Sequence, residues 1–364
     1  MMWIALFALT FIFFLLQMGF AYRFYQWTKA PQQTDSNTLP PLSIVVLARN
    51  EGANLQKNLR KLLAQDYPIY ELVWVDDDSS DQSPAILAQL AQENPKLQPL
   101  YYRGKKYLGK KEALLWAIPQ TKYNWILLTD ADGQPASPLW AKKMMQARPK
   151  NSPGLVLGFG PYLSEKTWLN SWIRYETALV ALQYFSAAHY NQAYMGVGRN
   201  LLYHKKVFEA AAPALAASIN TPSGDDDILV STAQKFPINN CLDPQAFVYS
   251  APKKTWKSLF RQKRRHYSSS KFYQNTTKWM LALWSASFLG LPFFALSLCF
   301  SPFPYLALLW PIRILFFYRV WQKTLLTLEQ DDLWGQLLWA ELFALLYYPF
   351  MALQFLRKKP SYWK

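Results

Sequence analysis

SIVVLARNEGANLQKNLRKLLAQ, residues 43–65, begins as a β-rich apolar run, breaks at Arg49-Asn50-Glu51-Gly52, and continues with leucines at helical spacing. A strand that passes through a short polar loop into a helix is the first half of a crossover unit. The alternation continues downstream in ELVWVD (71–76), SPAILAQLAQEN (83–94) and WILLTD (125–130). Strands and helices alternating at this spacing predict an α/β fold on a mostly parallel sheet covered on both faces. Such sheets bind ligands at the carboxyl ends of their strands. Those ends carry Arg49-Asn50-Glu51, Asp76-Asp77-Asp78 and Asp130-Ala131-Asp132, so three polar clusters are expected on one edge.

Apolar sequence flanks this core on both sides. Of the 364 residues 51% are hydrophobic, and WIALFALTFIFFLLQMGFAY (3–22) contains no charge. A helix of about 20 residues crosses the roughly 30 Å hydrocarbon layer. No basic n-region precedes this run and no small-residue cleavage site follows it, so residues 1–24 are expected to be an uncleaved anchor. Arg23 and Lys29 come directly after it, which by the positive-inside rule puts the next segment in the cytoplasm. A linker (25–42) and a soluble α/β domain (43–250) follow.

The formal net charge is +16, and its distribution selects the partner. Nine Lys or Arg and no acid lie between Lys253 and Lys278, in a segment (251–278) that leads straight into apolar sequence. That is the placing of a juxtamembrane strip on anionic lipid, and it disfavours nucleic acid. Residues 279–356 offer about three spans, near 279–300, 304–322 and 334–355, ahead of a basic tail (357–364). Arg313 and Arg319 weaken the middle one, since each costs about 2.5–3.5 kcal/mol at a helix centre. An odd number of spans would put the tail on the wrong side for its charge, unless one segment is re-entrant or interfacial. Two cysteines and three scattered histidines suggest neither a disulfide framework nor a zinc site, and nothing signals an oligomeric state.

The polar clusters carry the chemistry. ILLTDADGQPAS (126–137) ends a buried strand on Asp130 and Asp132, whose paired charges resist burial unless a cation joins them. Two such carboxylates hold Mg2+ or Mn2+ while leaving positions for substrate phosphates. In VWVDDDSSDQS one or two acids suffice to cap the following helix, which leaves Asp76 and Asp77 to accept hydrogen bonds from a base or a ribose. Gly109-Lys110 at a helix start favours phosphate. SGDDDILV adds Asp225, Asp226 and Asp227, and QKRRH adds Gln262 and Arg265.

In this order, ARNE (48–51), DDDSSD (76–81), GKKEAL (109–114), DAD (130–132), GDDD (224–227) and QKRRH (262–266) resemble the membrane-anchored branch of the inverting family 2 glycosyltransferases with a GT-A fold. The resemblance covers about residues 43–275 and the arrangement of flanking spans. It implies that Asp77, with Arg49, Asn50, Glu51, Asp76 and Lys110 around it, holds the nucleotide of a nucleotide-sugar donor. It further implies that Asp130 and Asp132 bind the metal, that Asp226 is the general base with Asp225 beside the donor, and that Gln262 and Arg265 bind the diphosphate and the acceptor side. His266 replaces the tryptophan usual in that motif. The expectation is a metal-dependent hexosyltransferase of the plasma (inner) membrane, catalytic domain in the cytoplasm, acting on a lipid, lipid-linked or glycan hydroxyl. Two alternatives stand beside it: a processive polysaccharide synthase, and a non-catalytic membrane scaffold whose acids only cap helices.

Overall fold

The computed structural model describes residues 2–29, 39–150 and 152–355. A long apolar helix, α1 (Met2–Lys29), leads into the α/β unit. There β1 (Leu42–Ala48), α2 (Gly52–Leu63), β2 (Tyr70–Asp77), α3 (Ser83–Glu93), β3 (Leu97–Tyr102), α4 (Lys111–Ala117) and β4 (Trp125–Asp130) alternate. They are followed by β5 (Gln134–Pro135), α5 (Trp140–Gln146), β6 (Leu155–Gly158), α6 (Trp168–His189), β7 (Leu201–His204), α7 (Lys205–Ala217), α8 (Asp225–Thr232), β8 (Ile238–Cys241) and β9 (Val248–Tyr249). The last helices are α9 (Trp256–Tyr267), α10 (Asn275–Leu298), α11 (Leu309–Thr327) and α12 (Leu337–Phe355).

Seven strands form the main sheet in the order β3-β2-β1-β4-β7-β6-β8, and β5 pairs with β9 apart from it. Only β7 runs against the other strands of the main sheet, being antiparallel to both β4 and β6. All of β1 is buried, as expected of a central strand with both faces covered. Alternate residues serve opposite layers. Val45, Leu47, Val73 and Val75 face the core shared with α4, α6 and α7, whereas Ile44, Val46, Leu72 and Trp74 face α2 and α5.

Register fixes what converges. Ala48 pairs with Asp76 across β1 and β2, and Leu47 with Asp130 across β1 and β4, so three polar strand ends share one edge. The reversal of β7 brings a fourth contribution: Leu201 at its start pairs with Leu128, which delivers the preceding Gly198 and Arg199 to that edge. Leu157 of β6 also pairs with Leu201, so Phe159, Gly160 and Tyr162 emerge there as well.

The membrane-type helices are continuous with the sheet's core. Trp27 of α1 stacks on Phe185 of α6 at 5.5 Å, and Trp172 of α6 meets Phe343 and Tyr347 of α12 at 4.7 and 4.6 Å. Among the described residues, Met2–Lys29, Asn275–Leu298 and Asp331–Gln354 are long and apolar enough to cross a membrane. The helix at the expected middle span is α11, shifted to Leu309–Thr327 and not in that set. The anchor helix also outruns the expected limit at residue 24, continuing to Lys29. The basic tail expected at 357–364 lies outside the described residues.

Arg313 of α11 is buried and explains how a guanidinium sits among apolar helices. It pairs with Glu341 of α12 and donates to Gln17 Oε1 of α1 at 3.0 Å, while Gln17 Nε2 donates to Ser287 Oγ of α10 at 2.8 Å. One polar network thus ties α1, α10, α11 and α12 together. Removing one partner of a buried pair typically costs about 3–5 kcal/mol, because the other charge is left uncompensated. Arg313→Leu is therefore expected to lower the thermal unfolding midpoint of the detergent-solubilised protein sharply, and adding Glu341→Leu is expected to restore most of the loss.

Candidate active site

A cavity of about 660 Å³ opens at the carboxyl ends of the strands and reaches α10 and α12. Its polar lining includes Arg49, Glu51, Lys110, Asp130, Asp132, Asp225, Asp226, Gln262, Arg265 and His266, and α10 and α12 contribute Phe288, Leu289 and Met351. Nine of the residues singled out in the sequence as substrate, metal or catalytic groups thus share one space, together with His266. Asn50, Asp76 and Asp77 do not line it. Asn50, at φ 55° in the loop after β1, accepts from Ser80 N at 2.8 Å and stitches that loop to the one after β2. Asp76 accepts from Arg103 at 2.5 Å, and Asp77 is paired with Lys105, whose ammonium also donates to Gly109 O at 2.6 Å. Burial raises the Asp77 carboxyl, with Lys105 and Arg49 opposing that rise.

The loop before α4 and the turn before α8 interlock. Gly109 has φ 99°, and a Cβ there would lie 2.5 Å from Pro222 O. Lys111 Nζ donates to Thr221 O and Ser223 O, both at 2.7 Å. Gly224 has φ 85°, and its absent side chain leaves room for Ser269, whose Cβ would be 2.3 Å from a Cβ at 224. Both glycines combine left-handed backbone with a close approach, which no other residue tolerates as well. The result is that Lys110 points to Asp130 and pairs with it, while the next residue, Lys111, points the other way and holds the turn carrying the acids.

Three aspartates open α8, where carboxylates complement the helix dipole. Asp226 accepts from Gly198 N at 2.9 Å through Oδ2 and from Asp227 N at 3.0 Å through Oδ1. Burial, with Asp227 and Asp225 nearby, raises its carboxyl well above the usual range, so the fold holds a carboxylate eager for a proton. Asp227 also lines the cavity and accepts from Ser269 Oγ at 2.6 Å and Tyr273 OH at 2.9 Å. Burial pushes it to about 6 against the help of those hydrogen bonds.

At the donor end, burial alone would raise Asp130, but the Lys110 ammonium more than offsets it. Burial and the charge of Asp130 both raise Asp132. These are two hard-oxygen donors of which one already holds a cationic partner, and that fits a site for a divalent ion. Among the described residues no three His, Cys, Asp or Glu gather to enclose a metal; the two carboxylates that would hold Mg2+ or Mn2+ are Asp130 and Asp132, with further positions for phosphate oxygens and water.

Arg199, Tyr162, Lys263 and Glu176 were not legible as site residues. Arg199 donates to Gly160 O, lies 4.7 Å over the Tyr162 ring, and faces Asp130 and Asp132. Burial would raise the Tyr162 phenol, yet Arg199 and Lys263 hold it below its ordinary value. Gln262 Nε2 donates to Tyr162 OH at 3.2 Å, which joins the basic helix α9 to this cluster. Arg265, on the same helix, faces Asp130, Asp225 and Asp226. A lone arginine just ahead of the short apolar run LLYH was the available signal for Arg199.

This arrangement, a mostly parallel sheet with acid clusters at its strand ends, is that of a GT-A fold. Residues 43–211, somewhat less than half of the 364-residue chain, match the family model described as Glycosyl transferase family 2. Beta-monoglucosyldiacylglycerol synthase from Trichormus variabilis is 42% identical over 108 residues, 29% of this chain and 23% of that protein. The namesake from Synechocystis sp. is 36% identical over 102 residues, 27% and 21% of the respective lengths. The matched region thus spans less than a quarter of those relatives. A mannosyltransferase from Pyrobaculum calidifontis, solved with GDP-Man and Mn2+, aligns over 94% of this chain and 99% of its own with TM-score 0.54 and 17% identity, a likeness of fold.

The shift at Asp227 has a pH consequence. A carboxyl raised on folding stabilises the fold fully below its unfolded value, and that contribution is lost as pH climbs through the folded value. The thermal midpoint is therefore expected to fall as pH rises from 3.8 to about 6, and Asp227→Asn to flatten that slope. Differential scanning fluorimetry across this range reads it directly.

Proposed function

We propose that this chain is a membrane-bound inverting glycosyltransferase, moving a hexose from a nucleotide-diphosphate sugar to a lipid hydroxyl at the cytoplasmic face of the plasma (inner) membrane. The carrying observation is the single cavity that begins at Arg49 and Asp130, passes Asp226, and ends among Phe288, Leu289 and Met351 of the apolar helices. A soluble glycan would need no apolar end. A scaffold would have no reason to hold half-buried carboxylates in a shared space, where they repel each other. The names of the diacylglycerol relatives agree with this choice of acceptor.

In the reaction, Arg49 and Glu51 border the nucleotide, with Asp77 and Asn50 stabilising the loops around it. Bound at Asp130 and Asp132, the metal would supply Lewis-acid stabilisation of charge on the diphosphate. Lys110, Arg199 and Arg265 add positive charge around the same oxygens, where the departing nucleoside diphosphate becomes more negative. Asp226, fixed by Gly198 N, takes the proton of the acceptor hydroxyl as its oxygen attacks the anomeric carbon opposite the leaving group. Gln262 and Tyr162 hold the wall of α9 against the donor half. One displacement inverts the anomeric centre without an enzyme nucleophile.

General-base catalysis contributes typically 10² to 10⁴. With full-length protein in mixed micelles, UDP-glucose or GDP-mannose as donor and dioleoylglycerol as acceptor, Asp226→Asn is expected to lose about that factor in transfer. Its Mn2+-dependent binding of nucleoside diphosphate, measured by calorimetry, should change little. Full turnover by Asp226→Asn would remove it from the base role. Metal removal with a chelator should abolish transfer, and added Mn2+ or Mg2+ should restore it.

A further inference from the structure

The cavity changes character below Asp226, and the change is made by one ion pair. Glu176 projects from α6, where its carboxylate is 1% exposed, and Lys263 Nζ of α9 meets its Oε2 at 2.6 Å. Tyr267 OH donates to the other oxygen, Oε1, at 3.3 Å. Glu176, Lys263 and Tyr267 all line the cavity, where Lys263 acts on Tyr162 of the polar wall and Glu176 on Tyr348 of α12. The other cations lining the cavity face carboxylates of the polar half: Lys110 pairs with Asp130, Arg199 faces Asp130 and Asp132, Arg265 faces Asp130, Asp225 and Asp226, Lys253 acts on Asp132, and Arg49 on Asp77. An acceptor that reaches Lys263 therefore meets a cation already neutralised by a carboxylate.

Resting on the lipid-acceptor reading above, we infer that the Glu176–Lys263 pair is a specificity determinant that admits an uncharged, hydroxyl-bearing lipid head and rejects a phosphate-bearing one. A buried carboxylate at the throat repels an approaching phosphate, and the ammonium that could bind the phosphate is held by that same carboxylate. A neutral hydroxyl head meets no such penalty and can hydrogen-bond to Glu176 or to Tyr267 OH. Glu176 is a positioning and selecting group; it takes no proton from the acceptor, a role that belongs to Asp226.

The test compares two acceptors and two variants in the full-length protein. Transfer from UDP-glucose or GDP-mannose is measured in nonionic micelles to dioleoylglycerol and to a polyprenyl phosphate, and the ratio of their kcat/KM values is taken. Wild type should favour dioleoylglycerol at least tenfold. Glu176→Gln, which keeps the shape and frees the Lys263 charge, should lower that ratio at least fivefold. Lys263→Met, which leaves the carboxylate alone, should raise it or keep it at the wild-type value. Loss of folding would depress both acceptors together and so cannot produce opposite shifts in a ratio. Equal use of the two lipids by wild type, or a shift of both variants in the same direction, would overturn the role of Glu176 while leaving lipid transfer intact. Transfer to soluble glycans with none to either lipid would instead overturn the acceptor reading and this inference with it.

Discussion

Like charges crowded at low dielectric must be balanced, and the pairing of Lys110 with Asp130 is where this protein meets that demand. Asp130, Asp132, Asp225 and Asp226 line one cavity, and with the cations removed their mutual repulsion would open it. The counter-charges are supplied from separate parts of the chain: Lys110 from the turn before α4, Arg199 from the turn before β7, Arg265 from α9. Each is fixed by backbone features that have little other purpose, such as Gly109 against Pro222 and Arg199 against Gly160. An anionic diphosphate with its metal is what such a balanced but crowded space can receive, because it brings both signs of charge with it.

The second constraint is the junction with the apolar helices. α9 carries the basic residues and also Gln262, Lys263, Arg265 and His266 of the cavity wall, so the segment suited to anionic head groups also closes the site. Phe260 of α9 packs on Phe350 of α12 at 5.2 Å, and Arg174 of α6 donates to Asp332 just before α12 at 2.6 Å. Through these contacts the position of α12 bears on the acceptor end of the cavity. The polar network around Arg313 then holds α12 to the other apolar helices, which links the packing of those helices to the shape of the site.

Much of the fold was legible because the first half obeys simple periodicity. WILLTD was read as a strand with the limits β4 has, and the crossover alternation gave the parallel sheet with its polar edge. The second half was harder for physical reasons. β6, β7 and β8 have four residues each, too short for alternation to show, and no local feature announces that β7 runs backwards. β3 is not legible in the sequence because only its first residue is fully buried and Pro99 interrupts it. Residues in recognisable strings (Asp130, Asp226, Arg265) were found. Arg199 and Glu176, each a single charged residue whose partners are distant in sequence, were not. Glu176 left a trace as the one acid of α6, a largely buried helix in which an ionisable group is retained only if something pairs with it.

Transfer to a lipid hydroxyl requires the polar and apolar halves of the cavity to be one continuous space entered from the lipid. Photo-crosslinking tests this most directly, using full-length protein in nanodiscs, a diacylglycerol with a diazirine on its acyl chain, and mass spectrometry to locate adducts. Adducts are expected on the cavity side chains of α10 and α12, such as Leu289 and Met351, and unlabelled diacylglycerol should compete them away. Labelling confined to outward-facing residues such as Leu9 and Leu315, with the cavity side chains unmarked, would contradict it.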